Sequence, residues 1–391
     1  MEYPSEDLSL RRGRRLTTIK YILEMKRLLL SLLILLTSLS ALAGDRLEVG
    51  VFAGHGGAQT CVEETYAALL MDRSITPHYI YSRDIATGAL DRLDVLILPG
   101  GGGSTEYLNF GSLGAEKIRH FVLQGGGLVG ICAGAYELTD TPDYACLRMS
   151  GAKAIDIEHD TRGLAVSMVT LTPEGKSFFP ELADRDTLYI MYYEGPVLVP
   201  DDKGEIAYTS LATMESDIHE YGVPGGVTND KPFIITGSFG SGKTLSIIGH
   251  PENTPGMQWM VPRMAHMVSS RTVAEQIDPK FIDPGHFERE IKMNEERRRY
   301  ESDAYDLLLY AAPEKKVEVL DALMEMNSWS AKGWIQGLLY DESPLVRAAA
   351  ARWLGKTTYL RYRDDLVALR SAETDPEVRQ AVEEALRQME S

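Results

Sequence analysis

Cysteine is scarce in this chain, three residues in 391, and basic residues are a minority, 40 Lys and Arg against 57 Asp and Glu. Three thiols cannot staple a fold of this size, so its stability has to come from hydrophobic burial. With 44% apolar residues and this length, the chain can bury the cores of two or three domains. The formal charge of −17 argues against a nucleic-acid or anionic-membrane surface, because phosphate binding requires clustered Lys and Arg. Glycine and proline, 35 and 18, are too few for a collagenous or low-complexity chain. Apolar runs of spanning length are also lacking, which excludes a multispan membrane protein.

What is present begins with a leader. Met25-Lys26-Arg27 precedes the Leu and Ile run Leu28 to Leu36, and the segment ends at Ala41-Leu42-Ala43. A charged start, a short apolar core and an A-x-A site have the order of a secretory signal peptide. Residues 1–43 are therefore read as leader, with the signal itself at 25–43, translation starting at Met25, and cleavage after Ala43. An uncleaved anchor is the alternative. The expectation is an exported protein, periplasmic or secreted, with no transmembrane span in the mature chain. In such an oxidising compartment Cys61 and Cys146 are candidates for a disulfide that leaves Cys132 free.

From Leu47 onward short apolar runs alternate with helical periodicity: Leu47 to Phe52, a helix with Val62, Tyr66, Leu69 and Leu70 on one face, His78 to Tyr81, Val95 to Leu98, and a helix from about Gly114 to Leu123. Gly125-Gly126-Gly127 then leads into Leu128 to Ile131. This βαβ grammar predicts an α/β domain over 45–272, a doubly wound and mostly parallel sheet, with the strand-like runs of 160–250 extending it. Beyond it lie a helical linker, 273–312, and an all-α domain, 313–391. There, Asp341 to Arg347 recurs as Thr374 to Arg379, with Pro344 and Pro376 each opening an Ala- and Leu-rich helix. An Asp, a Pro at the helix start and then Val-Arg resembles HEAT repeats, whose stacked helix pairs bury what one pair cannot. A plain helical bundle is the alternative, and a protein partner is the expected ligand of repeats.

Three strand ends carry the candidate chemistry. Gly130-Ile131-Cys132-Ala133-Gly134 places Cys132 on a tight strand-to-helix turn among small residues, where helix N-terminal N–H groups favour thiolate; a buried core cysteine is the competing reading. Thr244 to Ile248 ends in Gly249-His250-Pro251-Glu252, an imidazole to take the thiol proton and a carboxylate to fix its tautomer. Val95 to Leu98 ends in Pro99-Gly100-Gly101-Gly102-Gly103, a backbone-rich loop suited to an oxyanion. Strand C-terminal ends converging on one crevice are where open α/β sheets bind ligands.

Together the Pro-Gly-Gly loop, the Gly-x-Cys-x-Gly elbow and His-Pro-Glu resemble the class I glutamine amidotransferase superfamily over roughly 46–270. Cys132 to Tyr136, Tyr192-Tyr193-Glu194-Gly195-Pro196 and Gly240 to Lys243 are most similar to the N-terminal domain of biotin-protein ligase. The resemblance implies a flavodoxin-like sheet, Cys132 as nucleophile, His250 as base and Glu252 as its orienter, with Gly101 and Ala133 at the oxyanion positions. Ala133 stands where protease-like relatives carry a His, which disfavours that branch. Neither a ligase nor a synthetase catalytic domain is recognisable, so biotin transfer is not expected. The expectation is hydrolysis of an amide, glutamine-like or peptide-like, through an acyl-enzyme; the competing reading is a non-catalytic binding or scaffold protein using the same pocket.

Gly100, Tyr193, Glu194 and His55, in the Gly54-His55-Gly56-Gly57 turn, are further candidates to line the pocket. Gly237 to Thr244 matches the G-x-x-x-x-G-K-[ST] string, but a β-rich run follows it, so it reads as a hairpin turn rather than a phosphate loop. No metal-ligand spacing stands out and no cofactor is called for.

Overall fold

The computed structural model describes residues 46–155, 163–220 and 222–390. The leader and its cleavage site lie outside the described residues. Among those described, no helix is long and apolar enough to cross a membrane.

The first half alternates strand and helix: β1 (Leu47–Phe52), α1 (Gln59–Leu69), β2 (Ile75–Ile80), α2 (Ser82–Ala86), β3 (Val95–Leu98), α3 (Gly103–Leu123), β4 (Gly127–Ile131) and α4 (Ala133–Glu137). Helix α3 starts eleven residues earlier than its periodicity indicates; Gly111, at φ 64°, breaks it and resets the apolar stripe. Along β3, Val95 and Ile97 join one hydrophobic core while Leu96 and Leu98 join the other, so both faces of the sheet are covered.

Among the described residues, ten strands form the sheet, ordered β12 (Ile291–Lys292), β6 (Leu164–Leu171), β9 (Tyr208–Met214), β10 (Lys231–Phe239), β11 (Gly242–Ile247), β4, β3, β1 and β2, with β7 (Leu188–Tyr193) also paired to β6, while β5 (Ala152–Ala154) and β8 (Leu198–Pro200) pair separately. β2, β1, β3, β4 and β11 run parallel. β9 and β10 extend the sheet antiparallel, because Gly240 and Ser241 close β10 and β11 as a two-residue hairpin. That hairpin is the Gly-rich string read above as a turn. The doubly wound parallel core is as the sequence indicates; the antiparallel wing is an addition to it.

After the short helix α5 (Pro173–Phe178) within the wing, the chain crosses α6 (Met260–Val268) and the edge strand β12 into α7 (Glu295–Tyr310), α8 (Pro313–Glu325), α9 (Ala331–Leu338), α10 (Pro344–Thr357), α11 (Arg363–Ala372) and α12 (Pro376–Met389). Pro344 and Pro376 each occupy the first turn of their helix, and Asp375 caps α12 by accepting from Glu377 and Val378 N–H. Val346, Ala350, Leu354, Val378, Val382 and Leu386 lie in the helices' own core. The described residues from Leu47 onward nevertheless make one compact unit, and the loop between α8 and α9 reaches the C-terminal edge of the parallel strands.

Candidate active site

β4 lies between β3 and β11 in the sheet, so three neighbouring parallel strands deliver Cys132, Gly100 and His250 to one edge. Cys132 stands between β4 and α4 at φ 52°, a conformation L-residues rarely adopt. Its N–H donates to Ile247 O at 2.9 Å, and its thiol lies 3.4 Å from Tyr193 O. The turn requires small neighbours: a Cβ on Gly134 would fall 2.1 Å from Leu98 O, and one on Gly130 2.4 Å from Gly134 O. Ala133 opens α4, where an N–H has no intrahelical acceptor.

His250 is held from behind. Its N–H donates to Met191 O at 2.7 Å and its Nδ1 meets Glu252 Oε1 at 2.7 Å, with Glu252 itself fully buried. Burial draws the imidazole pKa down, but the charges of Cys132, Glu252 and Cys61 outweigh it and leave His250 well above its ordinary value. Nε2, the nitrogen not engaged by Glu252, has no close hydrogen-bond partner. Contacts of this kind are often loose before substrate arrives. Gly100 lies flat against the ring; a Cβ there would sit 2.7 Å from His250 Cε1 and 2.9 Å from Cys61 Sγ. Gly101 adjoins it on the exposed side, against Gly56 O.

Of the other pocket candidates, Tyr193 is half-buried beside Cys132, and Glu194 follows it at φ 52°. His55 is exposed, with its N–H on Asn109, and none of its described contacts ties it to Cys132.

The Cys61 and Cys146 disulfide is not formed: all three cysteines are free. Cys146 packs against Thr139 at 3.4 Å, whereas Cys61 faces His250 Nδ1 at 3.9 Å. Compartment chemistry pointed to pairing, but the fold carries the two thiols into different clusters. Denatured protein without reductant is therefore expected to titrate three thiols with a disulfide reagent; one would restore the pairing. Burial pushes the Cys61 thiol up to about 11 against the pull of His250. Cys61, His250 and Glu252 donor atoms lie within 4.8 Å of one another, but the His250 to Glu252 contact of 2.7 Å is a hydrogen bond, closer than two ligands of one tetrahedral ion sit.

Four further residues border the site without having been picked out by sequence: Asn253, whose Nδ2 donates to Glu252 Oε1 at 3.0 Å; Trp329, edge-on to His250 with centroids 5.1 Å apart; Lys332; and Tyr359. Asn253 was within reach, next to His-Pro-Glu. The signal at Lys332 is a charge on the stripe of α9 that also carries Ile335 and continues to Leu339 just past its end.

Comparison with known proteins follows this division. Residues 47–149 match the family described as biotin-protein ligase, N terminal, and residues 306–387 match HEAT repeats. The phosphoribosylformylglycinamidine synthase subunit PurQ of Rhodospirillum rubrum is 24% identical over 198 residues, 48% of this chain and 82% of its own. A cytoplasmic protein of Salmonella typhimurium aligns over 57% of this chain and all of its own at 12% identity and a TM-score of 0.38. A β-galactosidase from Bacillus circulans aligns over 56% of this chain and 31% of its own, at 17% identity and a TM-score of 0.36. The chain thus has an amidotransferase-like α/β fold in which residues 47–149 match the biotin-protein ligase N-terminal family, followed by a segment that matches HEAT repeats at 306–387.

Proposed function

We propose that the protein is an exported cysteine-dependent amidohydrolase. The observation that carries this reading is the buried His250 and Glu252 pair, 2.7 Å apart, at the same sheet edge as the positive-φ elbow of Cys132. In the proposed reaction the Cys132 sulfur attacks the amide carbon, the carbonyl oxygen takes the charge at the Gly101 and Ala133 N–H groups, and His250 donates its proton to the departing amine. Water, deprotonated by His250, then cleaves the thioester to a carboxylate and returns the thiol. Glu252 holds Nδ1 protonated throughout, as an orienting carboxylate does in Cys and Ser triads. The substrate class is a small amide or a peptide.

The test is covalent trapping at the nucleophile, as a thioether with a chloroketone or an acyl-enzyme with an amide. Full-length protein incubated with glutamine-like chloroketones and peptide amides is expected to gain mass on the Cys132 peptide alone, and Cys132→Ser to gain none. Label confined to Cys61 or Cys146 would overturn the assignment.

The repeats are proposed to bind a protein partner. A groove between α7 and α9, lined by Tyr305, Leu309, Trp334 and Tyr340, supports this, since Tyr340 and Leu309 stand exposed at its rim. The competing function, a binding protein with an idle cysteine, draws on the closure of the site: Cys132 is 7% exposed and His250 2%.

A further inference from the structure

Lys332 belongs to α9 of the helical repeats, yet its ammonium group is buried at the α/β site. It does not pair directly with a carboxylate. Nζ donates to Asn253 O at 2.7 Å and to Asn253 Oδ1 at 3.2 Å, under the rings of Trp329 and Tyr359. An ammonium group only donates, so the Asn253 atom facing it has to be the amide oxygen. The amide nitrogen is thereby turned the other way, where it donates to Glu252 Oε1, the same oxygen that engages His250 Nδ1. Were Asn253 to flip, its oxygen would face that carboxylate oxygen and the contact would become repulsive. The Tyr359 hydroxyl, also from the repeats, donates to Asn253 O at 3.3 Å and secures the same turn.

We propose that Lys332 is a positioning residue for the Cys132 site, acting from the HEAT repeats through Asn253 and Glu252 on the orientation of the His250 ring. The repeats are then part of the site as well as a docking surface, and a partner that shifts α9 reaches His250 through two side chains. The inference rests on the reading of Cys132 and His250 as a reacting pair. The charged and titratable groups around Lys332 are Glu64 and Cys61 from α1, Glu252 from the turn after β11, and Arg361 from the repeats. Those acting on His250 are Cys132, Glu252 and Cys61.

The experiment measures iodoacetamide alkylation of Cys132 in the full chain from pH 5 to 10, resolved by peptide mass, for wild type, Lys332→Met and the isosteric Asn253→Asp, each also in a His250→Ala background. Circular dichroism checks folding, and Asn253→Asp decides the matter if Lys332→Met does not fold. Each substitution is expected to slow alkylation at pH 7 by about tenfold or more and to displace the midpoint of its pH profile when His250 is present, and to change neither when it is absent. Equal effects in both backgrounds would reduce Lys332 to an access or packing role and overturn the inference, as would no effect in either. If His250→Ala alone leaves the profile unchanged, the reacting pair itself fails; if His250→Ala changes it and the Lys332 and Asn253 variants do not, only the positioning role falls.

Discussion

Alanine in place of His250 is expected to slow alkylation of Cys132 at pH 7 by about 100-fold or more and to abolish measurable amide hydrolysis. The expectation follows from burial. Cys132 is nearly sealed from water, and His250 is the imidazole at its edge of the sheet, held charged well above its ordinary range against the penalty of its own burial. Cys61 supplies an internal control: it faces the same ring, but burial holds its thiol at about 11, so it remains protonated at neutral pH and should react slowly in every variant. Glu252→Gln keeps a hydrogen-bonding group beside Nδ1 but loses the charge, and a smaller loss, about tenfold, is expected. Because His250 keeps its proton well above pH 6.5, acylation should hold its rate through that value instead of falling there. Peptide-resolved alkylation and turnover across pH 5 to 10 check all three. Equal rates for wild type and His250→Ala would make Cys132 an inert core thiol and favour the binding function.

The parts of this arrangement that sequence reveals are local. Gly130 and Gly134 flank Cys132 because the β4 to α4 turn leaves no room for a Cβ at either, and that constraint is written into nearby positions. The apolar runs of β1, β3 and β4 are buried on both faces, which needs no knowledge of distant partners. What the sequence conceals is long-range. Cys61 lies 189 positions from His250, and only the sheet order brings them together. The parallel core is legible as βαβ repeats, whereas the antiparallel wing depends on which strands pair across β6 and β9. Lys332 is concealed for a different reason. A lysine in the first turn of a short helix ordinarily reads as a solvated charge, and its burial follows from the turn after β11 offering two oxygens to one ammonium group.

Methionine at Arg361 is expected to destabilise the protein by about 1 to 1.5 kcal/mol more at pH 9 than at pH 5, since protonation of its buried partner caps the electrostatic loss at about one pKa unit. The cause is Glu64, on α1 beneath the repeats. It is 2% exposed, its Oε1 accepts no hydrogen bond, and the nearest cation is Arg361, whose Nε lies 3.7 Å away while its outer nitrogen pairs with Glu63 at 3.0 Å. Burial raises the Glu64 carboxyl to about 8, with Arg361 the largest opposing charge. A raised carboxyl pKa means that the fold favours the neutral acid. Its contribution is therefore complete below about 4.5 and is lost as pH climbs through 8. Removing Arg361 pushes the carboxyl higher still, so the added cost falls where the unfolded chain is ionised and the folded one resists. Lys332 acts in the next window with the opposite slope: burial lowers it to about 8, the unfolded chain holds the extra proton from there to about 10.5, and stability recovers as pH rises. Urea unfolding at pH 5, 7 and 8 is expected to show stability falling with pH in wild type, a decline that Glu106, also raised to about 8 by burial, shares, and Glu64→Gln is expected to make that fall shallower. Combining Glu64→Gln with Arg361→Met should recover most of the loss, leaving the Arg361 contact over the Tyr362 ring, at 4.7 Å, as the residue that pH does not touch. A cost for Arg361→Met that is the same at pH 5 and pH 9 would show that the surface pair with Glu63, and not buried Glu64, is what Arg361 serves.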